Sequence, residues 1–324
     1  YFYKKNVDLL AQIDLNLSSG QIFEINSSSE KPYVNTASVE NKGWEFEIGH
    51  QNTIGKFHYH INGNFSIIDN KVLTLGMGNV TQNNGMVGNG SDLFIGYPMQ
   101  MFYGYKTDGV FLTDDEVGDW YDQTAIAKGS KAGDIRYVDI TGDGKVTPDD
   151  KTFLGSRIPK YTFGLNFGGE YKGFDFSVTT YGAFGAQVAR SWRKFSDGQY
   201  ENYTTEVYDY WHGEGTSNRY PLLAPGNSGQ NFQAISDIYI DDADYVRIQN
   251  LTIGYDFKRI WKNCPFQQLR VYAAAQNLFT FTGYKGMDPE NGRALNDKEP
   301  WVTGVDVGNY PQPRTYMVGV NVKF

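Results

Sequence analysis

A single cysteine, Cys264, leaves no partner for an internal disulfide framework. No run approaches the ~18 consecutive apolar residues that a membrane helix needs. Positive charge is in deficit: 29 Lys and Arg against 37 Asp and Glu give a net charge of -8, which argues against a nucleic-acid partner and supplies no polybasic membrane patch. No nucleophile elbow, phosphate-cradling glycine loop or zinc motif is present, and Ser, His and Asp occur without informative spacing. The chain is therefore expected not to be an enzyme. No signal-peptide pattern opens the sequence. Tyr1-Phe2-Tyr3-Lys4-Lys5 already reads as strand, so the expectation is a fragment that begins in mid-structure.

What is abundant is aromatic. Tyr (24) and Phe (21) dominate the aromatic 16 % of the chain, yet mean hydropathy is negative, so polar residues dilute them throughout. A transmembrane β-barrel hides its hydrophobicity in this way, because only alternate residues of each strand face lipid. Tyr161, Phe163, Leu165 and Phe167 alternate with Thr162, Gly164, Asn166 and Gly168. After a turn at Lys172-Gly173, Phe174, Phe176 and Val178 alternate with Asp175, Ser177 and Thr179. Successive strand residues point to opposite faces, so one face is large and apolar and the other small and polar.

About eight stretches carry this period and reach the roughly 9–11 residues needed to cross a bilayer when tilted. They are Tyr1–Val7 (partial), Lys42–Asn52, the run from Phe57 to Ile67, the two strands above, Tyr245–Phe257, Leu269–Phe281 and Arg314–Phe324. Polar loops separate them, one through Ser27-Ser28-Ser29, and insertions at about 70–160 and 191–242 are very long. Long gaps follow strands one, three, five and seven and shorter gaps follow two, four and six, the asymmetry of outer-membrane barrels. The period predicts lipid-facing Leu165, Phe167, Phe176, Val178, Leu251, Ile253, Val271, Val318 and Val320. It predicts lumen-facing Asn166, Asp175, Asp256, Arg270, Gln276 and Asn321.

Several segments resemble the C-terminal part of SusC/RagA-like TonB-dependent outer-membrane transporters: Val39-Glu40-Asn41-Lys42-Gly43-Trp44-Glu45, Phe102-Tyr103-Gly104-Tyr105-Lys106-Thr107-Asp108-Gly109 and Asp139-Ile140-Thr141-Gly142-Asp143-Gly144. Further along are Asp244-Tyr245-Val246-Arg247-Ile248-Gln249-Asn250-Leu251, Ala275-Gln276-Asn277-Leu278-Phe279 and Tyr310-Pro311-Gln312-Pro313-Arg314. The resemblance covers essentially the whole chain. It implies an all-β fold: about eight antiparallel strands of a larger plugged barrel of the 22-stranded class, with long extracellular loops. It also implies that the plug domain and earlier strands lie outside residues 1–324. Implied partners are a SusD-like surface lipoprotein, TonB through the absent N-terminal part, the remaining barrel strands and outer-membrane lipid. The implied activity is import of oligomeric nutrients, glycan or peptide, across the bacterial outer membrane. The competing readings are a surface β-rich adhesion protein with calcium-stabilised loops and, third, an outer-membrane hydrolase.

Four constellations could carry a site. Asp139, Thr141, Asp143, Lys145, Thr147 and Asp150 have the spacing of a calcium loop, with Gly144 at position six and Asp150 in place of Glu at twelve. The ion-free alternative is an acidic glycine-turn hairpin. Tyr208, Tyr210 and Trp211 could stack on a sugar ring or simply pack their loop. His58 and His60 share a strand face without a third ligand nearby, and Glu45 and Glu47 read as solvated lumen groups.

Overall fold

The computed structural model describes residues 1–12, 33–75, 87–88, 94–99, 101–191, 205–223, 231, 234–290, 304–308 and 310–324. The Ser27–Ser29 stretch lies outside them. Strands β1 (Phe2–Gln12), β2 (Tyr33–Ile54) and β3 (Phe57–Thr74) are long. Short pieces follow: β4 (Val87–Gly88), β5 (Met101–Gly104), β6 (Thr107–Val110), the helix α1 (Asp114–Asp119), β7 (Ile135–Tyr137) and β8 (Thr152–Ser156). Next come β9 (Tyr161–Tyr171) and β10 (Phe174–Phe184), then the short β11 (Gln187–Arg190) and β12 (Ile240–Asp242). β13 (Tyr245–Asp256), β14 (Gln268–Thr282), the two-residue β15 (Val305–Asp306) and β16 (Thr315–Lys323) complete the chain.

The eight strands expected from the period form one sheet in the order β1-β2-β3-β9-β10-β13-β14-β16, and every neighbouring pair is antiparallel. Among the described residues β1 pairs only with β2 in this sheet and β16 only with β14, so its two edge strands do not close on each other.

Directly opposed residues share a face, and the register carries the apolar period across the sheet. Ile61, Phe167, Val178, Leu251, Ala275 and Tyr316 stand in one row. One residue along, Asn62, Asn166, Thr179, Asn250, Gln276 and Thr315 make the next, with Asn166 Nδ2 donating to Thr179 Oγ1 at 3.0 Å. None of the nine residues expected on the lipid face is buried, and Val318 stays 81 % exposed, so among the described residues no protein core covers that face. On the opposite face Arg270 pairs with Asp175 at 2.5 Å. A Cβ at Gly254 would meet both partners at 2.6 Å, so the bare glycine makes room for this ion pair.

Turns at one end are tight. Lys172 and Gly173 both have positive φ (49° and 94°), as a two-residue type I′ hairpin needs. The eleven residues of β9 span about 36 Å at ~3.3 Å each, or about 25 Å of height at a 45° tilt, which matches an outer-membrane apolar band.

Boundaries differ from the sequence period where polar residues pair. β2 begins at Tyr33 rather than Lys42, and β3 ends at Thr74 rather than near Ile67. In that extension Asn70 donates to Asn41 at 2.6 Å and the Ser38 and Thr74 hydroxyls lie 2.6 Å apart, so side-chain ladders replace apolar alternation. β1 runs past Val7 to Gln12 through a register shift at Asp8, whose φ is 56°. Beyond Ile67, β3 has outlasted β9, and its free side is met by a turn instead. Val72 accepts from the Gly96 N–H at 2.8 Å and donates to the Tyr97 carbonyl at 2.9 Å.

Candidate functional site

Among the described residues, the β3–β9, β10–β13 and β14–β16 connections gather at the end opposite the tight turns and interlock. Tyr105, Ala127, Ile135, Tyr137 and Val146 of the β3–β9 connection form a buried cluster, and Ala234 and Ile238 of the β10–β13 connection pack against it. Backbone bonds cross between the two: Tyr105 N–H to Ile235 at 2.8 Å, Asp237 N–H to Tyr105 at 3.1 Å and Leu222 N–H to Gly133 at 2.7 Å. Thr107 Oγ1 donates to Asp237 Oδ1 at 2.6 Å. The 70–160 insertion, polar along most of its length, reads in sequence as having little core of its own. The structure corrects this, because apolar residues scattered singly along one loop are completed by a second loop about a hundred residues away. Burial, then the charge of Asp150, pushes the Tyr105 phenol up to about 12.

A second knot ties in the third connection. β11 pairs antiparallel with β12 and parallel with β15. At its centre Arg190, 1 % exposed, pairs with Glu206 at 3.1 Å and with Asp241, while Lys285 reaches Glu206 at 3.3 Å. Tyr284 donates to the buried Asp306 at 2.6 Å. Beside the first knot, Thr107, Asp108, Arg136, Asn218, Arg219 and Asp237 line a cavity of about 400 Å³. Arg136 is fixed there, lying 4.7 Å from the Trp120 ring and 3.1 Å from the Asp108 carboxylate.

The calcium-type loop is ordered and closed by its own groups. Asp139 accepts from the Gly142 and Gly144 N–H groups at 2.7 Å each, and Asp143 from Lys145 N–H at 2.9 Å. Asp150, with no exposed surface, takes N–H groups of Ile140 and Thr141 on one oxygen and of Thr147 on the other. Burial raises its proton affinity, yet these bonds outweigh that and hold its carboxyl below the usual aspartate value. Gly144, at φ 84°, makes the sharp turn the spacing demands. The backbone thus makes the tight turn, and the carboxylates accept from N–H groups. Among the described residues no three His, Cys, Asp or Glu side chains converge to hold a metal.

The aromatic trio does not form one platform. Tyr208 is 81 % exposed, Tyr210 is buried with its ring 5.4 Å from that of Tyr220, and Trp211 packs over Gly133. His58 and Glu47 lie on the inner face by register, and His58 Nδ1 contacts Thr53 Oγ1 at 2.7 Å.

Sequence reasoning missed Arg190 and Arg247. In strict alternation with Leu251 and Ile253, Arg247 would face lipid. Gln249 is extra relative to β10, where Thr179 opposes Asn250 and Thr180 opposes Ile248. This bulge reverses the period, so Val246 and Ile248 join the exposed Phe279 and Phe281 while Arg247 turns inward. Asn277, at φ 50°, sits in the matching irregularity of β14. Two of the segments that carried the family resemblance therefore meet at this paired bulge. A lone arginine between Val246 and Ile248 was the available signal.

No family model matches the chain. It is 29 % identical over its full length to the TonB-dependent receptor P3 of Formosa agariphila, covering 32 % of that protein. It is 25 % identical, again over its full length, to the TonB-dependent receptor SusC of Bacteroides thetaiotaomicron, covering 29 % of it. The chain thus spans about a third of the length of the curated relatives it matches. Its fold is similar to that of the RagAB peptide importer in the open-open state, with a TM-score of 0.74 at 20 % identity over 99 % of this chain and 32 % of that one. The resemblance to SusC/RagA-like TonB-dependent receptors therefore holds along the whole chain. Those relatives are receptors and an importer, not enzymes, and nothing in them supports the adhesion reading.

Proposed function

We propose that this chain, similar along its length to SusC-like TonB-dependent receptors, is the C-terminal barrel part of an outer-membrane importer of oligomeric nutrients, glycan or peptide. The observation that carries the reading is the eight-stranded sheet with one uncovered apolar face, one polar face and its long loops interlocked at one end. The polar face would line the lumen, and strands outside this chain would continue the sheet at β1 and β16. The plug and the TonB-contacting segment would precede it. A SusD-like lipoprotein would close over the loops, where Tyr208 and the Arg136–Asp108 cleft are open to ligand. The chain performs no chemistry; it captures and conducts. In cells carrying the whole receptor, uptake of a fluorescent oligosaccharide or oligopeptide is expected to vanish on deleting TonB. Uptake that persists, or recovery of the receptor in the soluble fraction, overturns the reading.

For residues 139–150 we propose a structural calcium ion held by Asp139, Thr141, Asp143 and Asp150 side chains, the Lys145 carbonyl and Thr147. Spacing and the Gly144 turn support it; the N–H groups on Asp150 support closure without an ion. Because the folded Asp150 carboxyl lies below its ordinary value, its contribution to stability is complete above about pH 3.9 and is lost as pH falls toward the folded value. Hydrogen exchange of the loop across that range should show this loss. Millimolar calcium at neutral pH should slow exchange at 139–150 if the ion binds. An unchanged rate leaves the hydrogen-bonded loop as the whole account.

A further inference from the structure

Arg247 is 3 % exposed and its guanidinium is fully engaged. Nε donates to Thr280 Oγ1 at 3.0 Å, Nη2 to Asp288 at 2.6 Å and Nη1 to Glu290 at 2.5 Å. The ring of Tyr245 lies 5.3 Å beneath it and that of Tyr181 6.1 Å from Tyr245. A second guanidinium, the half-buried Arg157 of the β8–β9 connection, has its pKa lowered by desolvation, which the charges of Tyr245, Glu290 and Asp288 oppose. The two acidic partners differ in kind. Asp288 is built into its loop, taking the Glu290 N–H at 2.9 Å and the Gln312 N–H at 3.0 Å. Glu290 is 42 % exposed, and among the hydrogen bonds of the described residues its carboxylate meets Arg247 alone.

We propose that Arg247 is an anion site on the inner face, and that Glu290 occupies it as an internal stand-in for a carboxylate or sulfate group of the incoming ligand. Asp288 is held by two backbone N–H groups, so when Glu290 swings out the Arg247 Nη1 donor is the one left open to an incoming oxyanion. Arginine presents paired donors matched to such oxyanions, and a poorly hydrated guanidinium flanked by tyrosines binds them well. The reading deepens the import function by naming an anionic ligand class and an autoinhibitory contact.

Sulfate is the probe, titrated against chloride at constant ionic strength into the whole receptor in detergent, so neither TonB nor transport enters the result. Glu290→Gln keeps the size of a half-exposed side chain and is expected to bind sulfate at least tenfold more tightly than the unmodified receptor. Adding Arg247→Gln should abolish the gain. Arg247→Lys, which keeps the charge but loses the paired donors, should retain only part of it. Equal sulfate affinity with and without Glu290→Gln overturns the proposal, as does a gain that survives Arg247→Gln. Import that fails while this site binds sulfate would instead count against the transport reading alone.

Discussion

Replacing Arg190 with methionine should release the loop cap while leaving the strands beneath it intact. The substitution keeps the length of the side chain and removes its charge. Glu206 and Asp241 then lose the guanidinium they share, and Lys285, which reaches Glu206, is itself more than half exposed. Removing one member of a buried ion pair costs about 3–5 kcal/mol, since the partner's charge is left uncompensated. That cost falls on β11, which joins β12 to β15, so two of the long connections come apart together. Hydrogen exchange should quicken through 187–190, 205–209 and 240–242. The sheet from β9 to β14 should keep its protection, and heat-modifiable migration of the receptor should persist. Unchanged exchange at 187–190 would show that the cap is held by something other than this charge cluster.

An arginine at Leu251 should cost about 2–4 kcal/mol in a bilayer, the depth-dependent penalty for a charge at the midplane of a barrel's lipid face. Leu251 sits mid-strand, in register with Val178 and Ala275, on the uncovered side. Its neighbour Thr252 opposes Ser177 and Ala274 on the other side, so Thr252→Arg should cost little. Urea-dependent unfolding of the receptor in lipid vesicles measures both. Two equal costs would mean that the face assignment fails.

The contrast between these sites shows what the sequence could and could not reveal. Alternation along each strand was enough to find all eight strands, because one side of each is apolar and the other polar. It also placed Asp175 and Arg270 on the same polar side, where they meet. It failed at Arg247, because a bulged residue reverses the period and the lone arginine between Val246 and Ile248 was the one local sign of it. It failed for the loop cap as well. Tyr137 and Ile135 look like isolated apolar residues until Ala234 and Ile238, about a hundred positions later, are laid against them. The 139–150 spacing predicted a tight acidic turn, which is present, but spacing does not say whether a carboxylate points at an ion or at an N–H.

The stretch of β3 beyond Ile67 has a consequence for how the molecule behaves among its own kind. A strand that outlasts its neighbour offers bare N–H and carbonyl groups, and in water such an edge recruits any extended segment that drifts past. Here the turn at Phe94–Met99 occupies it, holding both backbone groups of Val72, while the Asn70 side chain fastens Met99. The aqueous flank of β3 is therefore closed to stacking against other copies. Growth of the sheet is left to β1 and β16, its two edge strands among the described residues.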